Sequence, residues 1–97
     1  MSCPHSALRI SRSEDEIAAR FEGQLQAGQF QTLIDQIQLR LPQRVSLDFG
    51  LVDAIEPGTV EAVSGLLAAA RSVGAQLRVV AGSPAVAQLI MLINLAP

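Results

Sequence analysis

Along this chain the spacing of apolar residues switches between two and about 3.6, and each switch marks an element boundary. Leu8 and Ile10 alternate with Arg9, and after the polar Ser13-Glu14-Asp15-Glu16 segment the alternation resumes through Ile17, Ala19 and Phe21. Two short strands flanking such a turn predict an antiparallel hairpin over residues 7–11 and 17–22. Gly23 is expected to break the second strand, with Leu25 pairing briefly beyond it. From Ala27 the period becomes helical. Phe30, Leu33, Ile34, Ile37 and Leu41 share one stripe, Gln29, Gln31, Asp35, Gln38 and Arg40 take the other side, and Pro42 ends the helix.

Val45, Leu47 and Phe49 then alternate with Ser46 and Asp48, the pattern of a central strand with one well-buried face. A loop follows, and the next helix is expected to start near Pro57 or Gly58, because proline lacks the N–H that a first helical residue leaves unpaired. Its predicted stripe is Val60, Val63, Leu67 and Ala70, and Gly74 is placed to stop it. Leu77 to Ala81 reads as a fourth strand. Ser83 and Pro84 read as cap and first turn of a last helix with the stripe Val86, Leu89, Ile90 and Ile93. The fold class is therefore α/β. An N-terminal antiparallel hairpin continues as βαβα into a small mixed sheet of about four strands, with helices mainly on one face. Residues 1–6 are expected to form a flexible tail and residues 7–97 a single domain.

Composition narrows the function. The chain has 97 residues, and 49% of them are hydrophobic, which excludes a disordered chain. The net charge of −2, with seven arginines scattered rather than clustered, argues against a nucleic-acid backbone as partner. Trp and Tyr are absent, so base-stacking platforms are not expected either. The single Cys3 rules out an internal disulfide and suits a reducing compartment. The N-terminus has no basic region followed by a long apolar run, and the greasy stretch from Leu89 falls short of the roughly 20 residues of a membrane span. These features predict a cytoplasmic protein without a membrane span.

Asp48 on the central strand and Asp53 and Glu56 in the loop after it precede a helix N-terminus, where free N–H groups favour acceptors. No His or Cys stands near them in sequence, so neither a metal nor a catalytic site is expected. Glu56 reads as a helix cap or a contact charge. Pro57-Gly58-Thr59 lacks the following lysine of a phosphate loop. Cys3 and His5 amount to two metal ligands without companions. No cofactor is predicted. The last helix is apolar on every side through Leu89, Ile90, Met91, Leu92, Ile93 and Leu95. With the chain ending at Pro97, Met91 and Leu92 are expected to be left for self-association as a homodimer or for a partner.

Several segments resemble the STAS family of sulfate transporters and anti-sigma factor antagonists. Phe21-Glu22-Gly23-Gln24-Leu25 resembles the end of its first hairpin. Val45-Ser46-Leu47-Asp48-Phe49 with Val52 and Ile55 resembles its central strand and loop. Arg71 to Val80 resembles its step from helix through glycine to strand, and Ser83-Pro84-Ala85-Val86 with Leu89 and Ile93 its next helix. The matches fall in family order across roughly residues 7–96. The resemblance implies a non-enzymatic protein-binding module that docks a histidine-kinase-like anti-sigma factor and is switched off by phosphorylation of a serine in an Asp-Ser-Ser/Thr-Gly loop. This chain departs at that loop. Glu56 takes the Asp position, Pro57 and Gly58 take the two hydroxyl positions, and Thr59 falls on the Gly. The expectation is a docking surface of Asp53, Glu56, Pro57, Gly58, Thr59 and Glu61 that lacks the serine switch, with Thr59 the sole remaining phosphoacceptor candidate. The alternative the resemblance offers is an accessory subunit of a phospholipid-trafficking ABC transporter, binding its ATPase subunit.

Overall fold

The computed structural model describes residues 6–95. They build strand β1 (Ser6–Arg12), strand β2 (Glu16–Leu25), helix α1 (Ala27–Arg40), strand β3 (Arg44–Ile55), helix α2 (Thr59–Ser72), strand β4 (Gln76–Ala81), a single 3-10 turn (Pro84–Val86) and helix α3 (Ala87–Leu95). The expectations for Cys3 and His5 lie outside the described residues. Ser6, expected in the tail, instead opens β1 opposite Gly23.

The four strands stand in the order β1-β2-β3-β4. β1 is antiparallel to β2, and the β2–β3 and β3–β4 pairs are parallel, as crossovers through α1 and α2 require. The mixed α/β sheet expected from the period changes is present. Ile17, Ala19, Phe21 and Leu25 of β2 and Val45, Leu47, Phe49 and Val52 of β3 are buried with Phe30, Leu33 and Ile37 of α1, Val63 and Leu66 of α2, and Val86, Leu89 and Ile93. The three phenylalanines meet there. The Phe21 ring lies 5.3 Å from Phe30 and 5.1 Å from Phe49, within the range of favourable ring contacts.

Four features differ from the sequence reading, each for a local reason. Gly23 does not end β2; it adopts φ +74°, which glycine tolerates, and pairs with Ser6 and Val52 on its two sides. Because β2 runs on to Leu25, β3 keeps a partner as far as Ile55, and two register shifts absorb its extra residues. Leu41 does not join the α1 stripe. It turns into the left-handed region at φ 51° as the C-cap, its N–H still bonded to the Ile37 carbonyl, and its side chain is 65% exposed. In α2 the buried residues are Thr59, Val63, Leu66, Ala69 and Ala70, so the stripe sits one position away from Val60 and Leu67.

The end of α2 follows expectation. The Ala75 N–H bonds the Ala70 carbonyl and the Gly74 N–H bonds the Arg71 carbonyl, with Gly74 at φ +72°. This paired closure is the Schellman arrangement, and it directs the chain into β4. At the start of α1 the Gln29 side chain accepts from the Gln26 N–H at 3.0 Å and donates to the Ser6 hydroxyl at 2.9 Å, tying that helix to β1.

Candidate docking site

The site forms where β3 hands over to α2. The last residue of β2 holds it: the Glu56 N–H donates to the Leu25 carbonyl at 2.9 Å. Glu56-Pro57-Gly58-Thr59 then makes a turn closed by the Thr59 N–H on the Glu56 carbonyl at 3.3 Å. Gly58 sits at φ 91°, ψ −7°. Proline followed by a residue with positive φ near these values is the signature of a type II turn. Pro57 therefore belongs to the turn, and α2 begins at Thr59 with Gly58 as its N-cap.

Thr59 faces inward. It is fully buried, and its hydroxyl donates to the Glu56 carbonyl at 2.5 Å, with the Leu25 carbonyl 3.5 Å away. The sequence reading put it on the docking surface and named it as a phosphoacceptor; in this conformation its hydroxyl meets neither partner nor solvent. A sequence signal existed for this. Thr59, Val63, Leu66 and Ala70 fall at helical spacing once threonine is counted among residues able to be buried.

The other predicted residues are distributed around the turn. Pro57, Gly58 and Glu61 are exposed and Glu56 is half-buried. Asp53 is exposed too, but it lies within β3 rather than in a loop. No side chain caps α2, so Glu56 does not act as the cap, and the acid in the first turn is Glu61, where it offsets the positive helix end. Asp48 serves its own strand, accepting from the Gly50 N–H at 2.9 Å. Among the described residues no three His, Cys, Asp or Glu side chains gather in a metal-binding arrangement.

Sequence reasoning missed the neighbouring wall. Ser83 was expected to cap the last helix, but its hydroxyl crosses to the Val52 carbonyl at 2.6 Å and makes no cap. That bond fixes the Pro84–Val86 turn beside β3 beyond the end of β4. Between this turn, α3 and the start of α2 lies an open groove of about 450 Å³, lined by Ile55, Val60, Pro84, Leu89 and Leu92 among others. Val60 and Leu92 on its walls are 51% and 44% exposed. Their apolar character is legible in the sequence, but no periodicity announces the Ser83 contact beside them.

The fold is shared with solved proteins. An anti-sigma factor antagonist from Mycobacterium paratuberculosis superposes with a TM-score of 0.72 over 98% of this chain and 84% of its own, at 18% identity. The anti-sigma factor antagonist SpoIIAA in its unphosphorylated form gives 0.69 over 92% of this chain and 82% of its own, at 16% identity. The phosphorylated form of the Bacillus cell fate determinant SpoIIAA gives 0.66 over 89% and 82%, at 14% identity. No protein-family model and no curated protein sequence matches the chain. The likeness is one of fold. The described residues have the STAS-domain fold, α/β with one four-stranded mixed sheet and three helices. No helix among the described residues is long and apolar enough to cross a membrane.

Proposed function

We propose that this protein is a non-enzymatic regulatory module of the anti-sigma-antagonist type, acting in the cytoplasm and docking a histidine-kinase-like anti-sigma factor through the start of α2. The observation that carries this reading is the exposed Pro57-Gly58 turn, held by Leu25 and Thr59 at the place where β3 meets α2 in a fold shared with SpoIIAA. Residues 53–58 contain no hydroxyl side chain, and the hydroxyl of Thr59 is turned into the core. The docking surface is therefore fixed in one state, and its use is controlled by expression or by a third protein. Asp53, Glu56 and Glu61 supply its charge.

Titration calorimetry with a purified anti-sigma factor of this type tests the reading. Glu56→Arg combined with Glu61→Arg is expected to weaken binding at least about tenfold, as reversing charges at a docking rim does. Unchanged affinity would remove the surface from the interface. Incubation with a partner kinase and ATP is expected to leave the protein mass unchanged; stoichiometric phosphate on Thr59 would sink the fixed-state reading. Met91 and Leu92, exposed on α3, favour a second reading, the accessory subunit of a phospholipid-trafficking ABC transporter. Binding of the ABC ATPase but not the anti-sigma factor in the same assay would decide for it.

A further inference from the structure

Charge is divided unevenly over this fold. Residues 45–70 and 79–97 contain no Arg or Lys, while Asp48, Asp53, Glu56 and Glu61 all lie in the first of these stretches. The residues that line the groove beside α2 come entirely from the same two stretches. An apolar trough is thus built from segments whose only charged side chains are acidic, with Glu61 directly after Val60 in sequence and Glu56 four residues before it. The Val52 carbonyl on the strand edge nearby already accepts from Ser83, and every lining residue except Ile55 comes from α2, the Pro84–Val86 turn or α3. A helix needs only such an apolar trough.

We infer that this groove receives a short amphipathic helix of a partner protein, apolar on the inserted face and flanked by arginine or lysine. Resting on the docking role given to the α2 start, it names the chemistry of what docks. Val60, Pro84 and Leu92, the exposed apolar residues of the lining, meet the apolar face, and Glu56 and Glu61 meet the flanking cations. Opposite charge at the rim steers encounter and sets the register, while the apolar trough supplies most of the affinity.

The test uses the full chain and three synthetic helical peptides. One carries leucines at helical spacing flanked by arginines, the second replaces the arginines with glutamates, and the third replaces the leucines with serines. Fluorescence anisotropy gives affinity, and amide NMR shifts give location. The arginine–leucine peptide is expected to bind and to shift Val60, Gln88 and Leu92, and the other two are expected to bind at least about tenfold more weakly. Val60→Gln with Leu92→Gln, both at exposed positions, is expected to weaken binding by a similar factor. Glu56→Gln with Glu61→Gln is expected to weaken it several-fold and to flatten its salt dependence. Equal binding of the glutamate peptide, or shifts confined to β1 and β2, would overturn the proposal. Self-association of the chain that Leu92→Gln abolishes would overturn it too, since a second copy would then fill the groove. Anti-sigma-factor binding is measured separately. If that partner binds while the peptide does not, only the groove assignment fails; if the peptide binds and that partner does not, only the functional reading fails.

Discussion

The Thr59 hydroxyl donates to the carbonyl of Glu56, three residues back, at 2.5 Å, and it does so from a fully buried position. The same carbonyl accepts the Thr59 N–H, so one residue closes the turn twice. Replacing the threonine by valine keeps its shape and removes the hydroxyl bond. Thr59→Val is expected to cost about 1 kcal/mol, the usual net worth of one such bond. Urea unfolding followed by circular dichroism reads this as a lower midpoint at unchanged slope. An unchanged midpoint would mean that the backbone bond alone holds the turn.

Gly58 bears on whether a serine switch could be restored. At φ 91° it occupies a region that side-chain-bearing residues avoid, although a Cβ there would meet no atom within 4 Å. The obstacle is backbone conformation rather than space. Gly58→Ser is therefore expected to cost about 1–3 kcal/mol. Pro57→Ser, which needs no positive φ in a type II turn, is expected to cost less than about 1 kcal/mol. Comparison of the two variants by thermal unfolding checks the order; equal losses would show that the turn relaxes on substitution.

How much of this could be read beforehand depended on whether a residue's type or its partner decides its role. The strands of β1 and β4, the helical stripe of α1 and the glycine stop after α2 were legible because side-chain type and period carry them. The length of β3 was not, because the register shifts opposite Arg20 to Gln24 break the alternation that reveals a strand. The turn at the β3–α2 junction was legible from Pro57-Gly58. Its inner support was not. The Leu25 and Glu56 carbonyls hold the turn, and any residue type carries a carbonyl.

Leu41 shows a local cost accepted at a helix end. A branched side chain in the left-handed region is disfavoured, and this one is largely exposed, so little burial offsets the strain. Asn tolerates that conformation and commonly ends helices. Leu41→Asn is expected to stabilise the protein by about 0.5–1 kcal/mol. A higher urea midpoint is the expected result. A lower one would show that Leu41 packs usefully beside Pro42.

Ser83 joins two parts of the fold that the sheet alone would leave separate. β4 ends at Ala81, so β3 beyond Asp48 has lost its partner on that side, and the Ser83 hydroxyl on the Val52 carbonyl replaces part of that ladder. The Pro84–Val86 turn follows at once, and with it Val86, Leu89 and Ile93 enter the core. Removing the hydroxyl leaves the Val52 carbonyl without this donor, at an expected cost of about 1–2 kcal/mol for Ser83→Ala. The loss should be uneven. Amide exchange in α3 is expected to quicken several-fold, while the amides paired between β2 and β3 slow or quicken only as global stability changes. Uniform exchange across α3 and the sheet would mean that the helix is held by its buried leucine and isoleucine rather than by the serine, and that the groove wall does not depend on this bond.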